Sequence, residues 1–303
     1  MYVVIGANGY FGSYLLKNIL EYTDEQIVAT ARNLENAIKE NSRITWECLD
    51  VQNKADVYGL KEKIKKEKDI KMIYLAAFHH PDEVENKKNL AWNINVIALA
   101  EFINIFADCV KKFFYSSSDV VYGDSIDNYE YMENDLLNPV NFYGHNKCVS
   151  ESLVVHRGYN VFRFPFMISP SIIYKKHFYD EIVTALKGGK KIEMFVDSYR
   201  SAISFDNAAY IMIYLIENKK IPKILNICGS NALSKYDVGL KIAERENLDK
   251  KLIIPVSIEK FQVNNFRVKR AKSTLMSNNM LRSLLNIEYI DVFEKPNLSW
   301  SKE

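Results

Sequence analysis

"YVVIGANGYFG", residues 2–12, sets a short apolar run against a loop with glycine at every third position. An apolar run that passes at once into Gly6, Gly9 and Gly12 reads as a strand turning tightly into a helix. In such a turn one glycine lets the chain reverse, one lets backbone approach a ligand closely, and one lets the helix pack on the strand. The helix N-terminus then presents N–H groups that suit a pyrophosphate. The spacing is GxxGxxG, not the commoner GxGxxG, and a glycine motif alone is weak. Its place directly after a strand and before a helix makes dinucleotide binding the expectation, with Asn8, Tyr10 and Phe11 completing the loop.

Strand and helix patterns alternate outward from this loop. Residues 2–6, 26–31, 44–49, 70–77, 111–117 and 159–164 read as strands, and 10–21, 34–40, 53–67, 89–107 and 141–156 as helices. The strands lack polar alternation, as expected of a parallel sheet covered on both faces. The pattern predicts an α/β, Rossmann-type doubly wound sheet over residues 1–165. Pro165 and Pro170 mark where the chain leaves it. Residues 166–303 are expected to form mainly a smaller, interlocked substrate lobe, with part of roughly 200–230 returning to the sheet. Helices near 175–188, 205–218 and 235–247 and strands near 192–196, 223–228 and 252–255 are expected there.

The composition narrows the function classes. With 48% apolar and 26% charged residues, the 303-residue chain has the make-up of an ordinary globular protein. Its 40 basic and 38 acidic residues leave a net charge of +2, so no global field recruits nucleic acid or an anionic membrane. Cys48, Cys109, Cys148 and Cys228 are scattered without a CxxC pair, which excludes disulfide or metal-site spacing and points to thiols in a reducing compartment. "KEKIKKEKDIK" (61–71) reads as a solvated helix face. No charged leader precedes the first strand, and no 18 apolar residues run uninterrupted, so a cytoplasmic protein is expected.

Two further patterns concern chemistry. Arg32 stands twenty residues beyond Gly12, at the end of the second strand, where an acid would take the 2′-hydroxyl of NAD. An arginine suits a 2′-phosphate, so NADP is expected ahead of NAD. Asp50, with Val51 beside it, ends the third strand; it is either a partner for the adenine amino group or a helix N-cap. In "NFYGHNK" (141–147), Tyr143 and Lys147 lie four residues apart, hence on one helix face with Cβ atoms about 5–6 Å apart. A neighbouring cation favours the phenolate and would bring a phenol of pKa about 10 toward use at neutral pH. Ser118, 25 residues before Tyr143 in "YSSSDVVYG", should sit at the carboxyl edge of the sheet and polarise a substrate carbonyl. Together with the glycine loop, Ser118, Tyr143 and Lys147 form a coherent hydride-transfer set.

These residues carry a family likeness. The glycine loop, "YLAA" (74–77), "NINV" (93–96), "SSSDVVYG" (116–123) and the tyrosine–lysine pair resemble the extended short-chain dehydrogenase/reductases, in order and spacing, over about the first 165 residues. The resemblance implies a Rossmann lobe, a catalytic Ser118, Tyr143 and Lys147, and cofactor contacts from the glycine loop, Ala76, Ala77 and Asn95. The second half is similar more loosely to the dTDP-4-dehydrorhamnose reductase subgroup, through Phe166 in "FMISP" and the tail at 270–287. Arg200 is either a phosphate or sugar contact or a structural ion pair, and His79, with His80 next to it, is expected at the mouth of the cleft.

The implied activity is reduction of a 4-keto group on a nucleotide-linked sugar. An epimerase or dehydratase that retains NAD, and a non-catalytic dinucleotide sensor, are the alternatives. "NLAWNINVIALAEFINIFA" (89–107) is apolar around much of its circumference. Either a homodimer through helices 89–107 and 141–156 or burial under the second lobe would cover it.

Overall fold

The computed structural model describes residues 1–35, 41–259 and 268–300. Seven strands form one sheet: β1 (Tyr2–Ile5), β2 (Ile27–Ala31), β3 (Ile44–Cys48), β4 (Lys71–Tyr74), β5 (Lys112–Ser118), β6 (Asn160–Phe164) and β7 (Ile224–Asn226). Their spatial order is β3-β2-β1-β4-β5-β6-β7, and every pairing is parallel. Strand order therefore reverses between β1 and β4, which opens a crevice at their carboxyl ends. The expected strand at 70–77 pairs only as far as Tyr74, because the chain beyond it leaves the sheet for that crevice.

The larger helices are α1 (Tyr10–Tyr22), α2 (Lys54–Ile64), α3 (Lys88–Phe106), α4 (Phe142–His156), α5 (Phe178–Lys187), α6 (Phe205–Asn218) and α7 (Lys235–Arg245). Alternate residues of β1 feed opposite layers. Tyr2 and Val4 pack with α1 and α6, whereas Val3 and Ile5 pack with α2 and α3. This is the doubly wound α/β fold the alternation predicts. Part of the predicted helix at 34–40, residues 36–40, lies outside the described residues. β3 is only half-buried, since as an edge strand it has a neighbour on one side alone.

α3 contains a π turn at Asn93–Ile97, which brings three consecutive side chains, Ile94, Asn95 and Val96, inside. The extra residue shifts the helical phase, so apolar positions on more than one face find cover. α3 has the length and composition to cross a membrane; here Leu99, Phe102, Ile103 and Phe106 pack into the core beside β4 and β5. The basic stretch at 61–71 departs from a uniformly solvated face at its end. Lys71 is 5% exposed, starts β4 and pairs with Glu25 and Glu217 at 2.8 Å each.

After Phe164 the chain enters a second core built on α5 and α7, with Tyr179, Ile182, Leu186, Val238 and Ile242. The strands Ile192–Phe195 and Ile253–Val256 pair in parallel beside it. The chain returns through α6, whose Tyr210 and Ile213 join the core under α1, and β7 then extends the sheet beyond β6.

Candidate active site

A cleft of about 680 Å³ lies over the crevice. Gly6 turns the chain with φ +82°, and its N–H donates to Thr30 Oγ1 at 3.2 Å. At Gly12 a Cβ would lie 2.5 Å from the Ala7 carbonyl oxygen, so only glycine lets α1 start this close to β1. α1 has Gly9 as its N-cap and no side-chain cap, so its first-turn N–H groups lack a capping side chain beside the cleft. Asn8, Gly9, Tyr10 and Phe11 all line the cleft. An uncapped helix start behind a glycine turn fits the diphosphate of a dinucleotide.

Arg32 is exposed on the rim, and Asp50 and Val51 lie on the same wall. Asp50 is not the cap of α2. Its carboxylate accepts from Gln52 N at 2.9 Å, while Asn53 caps α2 by accepting from Ala55 N at 3.0 Å. Ala76, Ala77 and His79 line the opposite side. Burial pushes His79 below its ordinary pKa against a backbone hydrogen bond to Ala77, and Lys147, His80 and Lys175 push it the same way as burial.

Ser118, Tyr143 and Lys147 meet in this cleft. β5 ends on Ser118. Asn141 caps α4 by accepting from Gly144 N at 3.0 Å, which places Tyr143 in the first turn and Lys147 one turn later. Lys147 is 3% exposed; its ammonium donates to the Ser116 carbonyl at 2.7 Å and lies 5.9 Å from the Tyr143 ring centre. The electrostatics differ from the sequence expectation. Burial, then the charge of Asp119, pushes Tyr143 well above the ordinary phenol range rather than below it. Burial pulls Lys147 down to about 7, with Glu151 working against it. A cation drawn out of water at this depth is too easily neutralised to dominate the phenol. Burial and Asp119 together favour the protonated form of the Tyr143 phenol. The Ser118 hydroxyl donates to Asp119 at 2.9 Å.

Three predicted site residues lie outside the cleft lining. Asn95, 3% exposed, accepts from Phe78 N at 2.8 Å and donates to Phe78 O at 2.9 Å, so its amide clamps the loop after β4. Phe166 packs against Phe178 in the second lobe. Arg200 donates to the carbonyls of Tyr199, Ala271 and Lys272 and stands 3.6 Å from Asp119, the structural ion pair of its two readings. The sequence reading missed Lys175 and His177, which line the cleft from the second lobe. No local motif marks them: His177 reaches the site by packing on Tyr10 and Phe205, far away in sequence. Among the described residues no cluster of three or more metal-ligating side chains occurs.

Known proteins share this fold. The dTDP-4-dehydrorhamnose reductase of Bacillus anthracis str. Ames, solved in complex with NADP, superposes with a TM-score of 0.78 at 22% identity, over 96% of this chain and 94% of that one. The UDP-glucuronic acid 4-epimerase of Bacillus cereus, in complex with UDP-glucuronic acid and NAD, gives 0.77 at 18% identity, over 96% and 94%. Methionine adenosyltransferase 2 subunit beta of Xenopus laevis is 26% identical over 230 residues, 72% of this chain and 66% of that protein. A model of the RmlD substrate binding domain matches residues 1–292. Spanning both lobes, that match shows that the chain belongs to the RmlD substrate binding domain family.

Proposed function

We propose that the protein reduces a 4-keto group on a nucleotide-linked sugar, with NADP as cofactor and NAD as the alternative. The observation that carries this reading is that Ser118, Tyr143 and Lys147 line the same cleft as the uncapped glycine turn. A nicotinamide bound there would supply the hydride. Tyr143, protonated well past neutral pH, gives its proton to the carbonyl oxygen. Lys147 donates into the cleft floor at Ser116 and adds positive charge beside the phenol when protonated. Asp119 speaks against a dehydratase: it is 4% exposed and outside the cleft lining, with its oxygens taken by Ser118 and Thr274.

A panel of 4-keto nucleotide sugars, incubated with NADPH or NADH and followed at the reduced-nicotinamide absorbance, tests the reading. Oxidation of NADPH with one of them is expected. No oxidation with any, together with a nicotinamide that survives dialysis, would replace the reductase by an epimerase. The likeness to a protein named as a subunit favours a second reading, a regulatory dinucleotide-binding subunit of another enzyme. No turnover with freely exchanging NADPH, and stable association with a catalytic partner, would favour it.

Arg32 is the residue we assign to the 2′-phosphate. Charge-assisted hydrogen bonds contribute roughly 1.5–3 kcal/mol, and each ~1.4 kcal/mol is tenfold in affinity. Arg32→Ala should weaken NADPH binding by about one to two decades and spare NADH, as read by fluorescence titration. Equal loss for both cofactors would remove Arg32 from that role.

We also propose a homodimer through α3 and α4. Leu90, Ile97 and Val149 are 39%, 44% and 37% exposed on these helices, although most of the apolar surface of α3 is already inside the lobe. Paired across a twofold axis they would form a four-helix contact. Sedimentation at micromolar concentration should show twice the 35.1 kDa chain mass; a single monomer species would rule out the dimer.

A further inference from the structure

The second lobe reaches the glycine turn through one short segment, residues 171–177. Tyr10, the first residue of α1, donates its hydroxyl to the Lys176 carbonyl at 2.6 Å, and its ring meets that of His177 edge-on at 4.6 Å between centres. The Ser171 hydroxyl donates to the Lys175 carbonyl at 2.6 Å. Asp180 accepts from Ser171 N at 3.2 Å and from His177 N at 2.7 Å. The segment is thus fastened at both ends to its own lobe and hung in the middle on the start of α1.

Lys175 is the cation that this segment brings to the cleft. It lines the cleft together with Asn8, Gly9 and Tyr10, and its ammonium stands 6.0 Å from the Tyr10 ring centre. Its charge is felt further along the cleft, where it opposes protonation of His79. Among the described residues the ammonium forms neither a hydrogen bond nor an ion pair. The carboxylates that open α5 do not take it. Asp180 is committed to the backbone of Ser171 and His177, and Glu181, whose charge acts on Tyr10, makes no pair with Lys175. One ring at the outer limit of cation–π range leaves the charge of an exposed ammonium uncancelled. In the same stretch of the cleft, the first turn of α1 has no capping side chain. An anion held there would meet donors from both lobes.

We propose that Lys175 is a second-lobe anchor for the cofactor, its ammonium on the diphosphate of the dinucleotide while the glycine turn holds the same group from the first lobe. This deepens the reading above and rests on its dinucleotide cofactor. The diphosphate is common to NADPH and NADH, so Lys175 adds affinity for both without choosing between them, whereas the choice falls to Arg32. The bond from Tyr10 to the Lys176 carbonyl sets the backbone from which the ammonium reaches.

Fluorescence titration of NADPH and of NADH into the full chain, at low and at raised ionic strength, tests the anchor. Lys175→Met should weaken both cofactors alike by about tenfold, the low end for a charge-assisted hydrogen bond because this ammonium is exposed and screened. Lys175→Arg should recover most of the loss. Raised salt should weaken NADH binding more in wild type than in Lys175→Met. Unchanged affinity for both cofactors in Lys175→Met overturns the anchor and leaves the reductase reading intact. A loss confined to NADPH also overturns it, since the lysine would then serve the 2′-phosphate. A shared loss that Lys175→Arg does not recover overturns it as well, being the mark of a disturbed segment and not of a missing charge. Wild type that binds neither dinucleotide overturns the anchor and the reductase reading together.

Discussion

Tyr143→Phe should lower turnover by about 10²–10⁴-fold, the usual contribution of a positioned general acid, while NADPH affinity stays near that of wild type. The substitution keeps the ring, which closes the cleft wall beside Lys147, and removes only the hydroxyl. Its size follows from the absence of a ready substitute among the neighbours. Ser118 already commits its proton to Asp119, and Lys147 donates to Ser116 O. His79, also in the cleft lining, is held below its ordinary pKa, chiefly by burial. Single-turnover measurement with saturating NADPH separates the chemical step from binding. Turnover within a few-fold of wild type would take Tyr143 out of the reaction.

What could be read from the residues depended on how local the cause was. The turn at Gly6, the uncapped start of α1 and the tyrosine–lysine spacing on α4 are set by neighbours within a turn or two. They are therefore visible in "GANGYFG" and "NFYGHNK". The short apolar runs are equally local, and they located the six sheet strands of the first half. The π turn in α3 escaped, because a phase shift of one residue leaves no distinct composition. Asn95 was placed among cofactor contacts, yet its amide is consumed by Phe78, a contact that depends on how the β4 loop lies over α3. Lys175 and His177 were invisible for a related reason: only the closing of the second lobe over Tyr10 brings them to the cleft. The electrostatics of the tyrosine–lysine pair likewise differ from what its spacing suggests. Sequence spacing gives the separation of two groups and not the depth of either, and at Tyr143 and Lys147 burial outweighs their mutual proximity.

The same distinction governs the second large effect expected here, beneath α4. "YNVFRF" reads as an apolar strand with one arginine, and that Arg163 is 2% exposed. Glu151, one turn beyond Lys147 on α4, is equally buried. The guanidinium grips the carboxylate from Nε at 3.0 Å and Nη2 at 2.7 Å, and its remaining nitrogen donates to Tyr122 Oη at 2.6 Å and Glu133 O at 3.0 Å. Tyr122 in turn donates to Asn226 on β7 at 2.9 Å. One ion pair thus fastens α4 to β6 and, through Tyr122, to β7. Removing one partner leaves a buried charge uncompensated, at a cost of about 3–5 kcal/mol. That is a large share of the ~5–15 kcal/mol by which a folded domain is stable. Glu151→Ala should therefore lower the urea midpoint sharply, and Arg163→Met should do the same. The pair changed together, Glu151→Leu with Arg163→Met, should lose much less than the two single losses combined, because neither charge is then stranded. Glu151 also opposes the drop in the Lys147 pKa. In the double variant, then, folding should recover more than turnover does at neutral pH. Additive stability losses would mean that the two side chains act separately, and α4 would owe its position to the packing of Val154 and Ser150 instead.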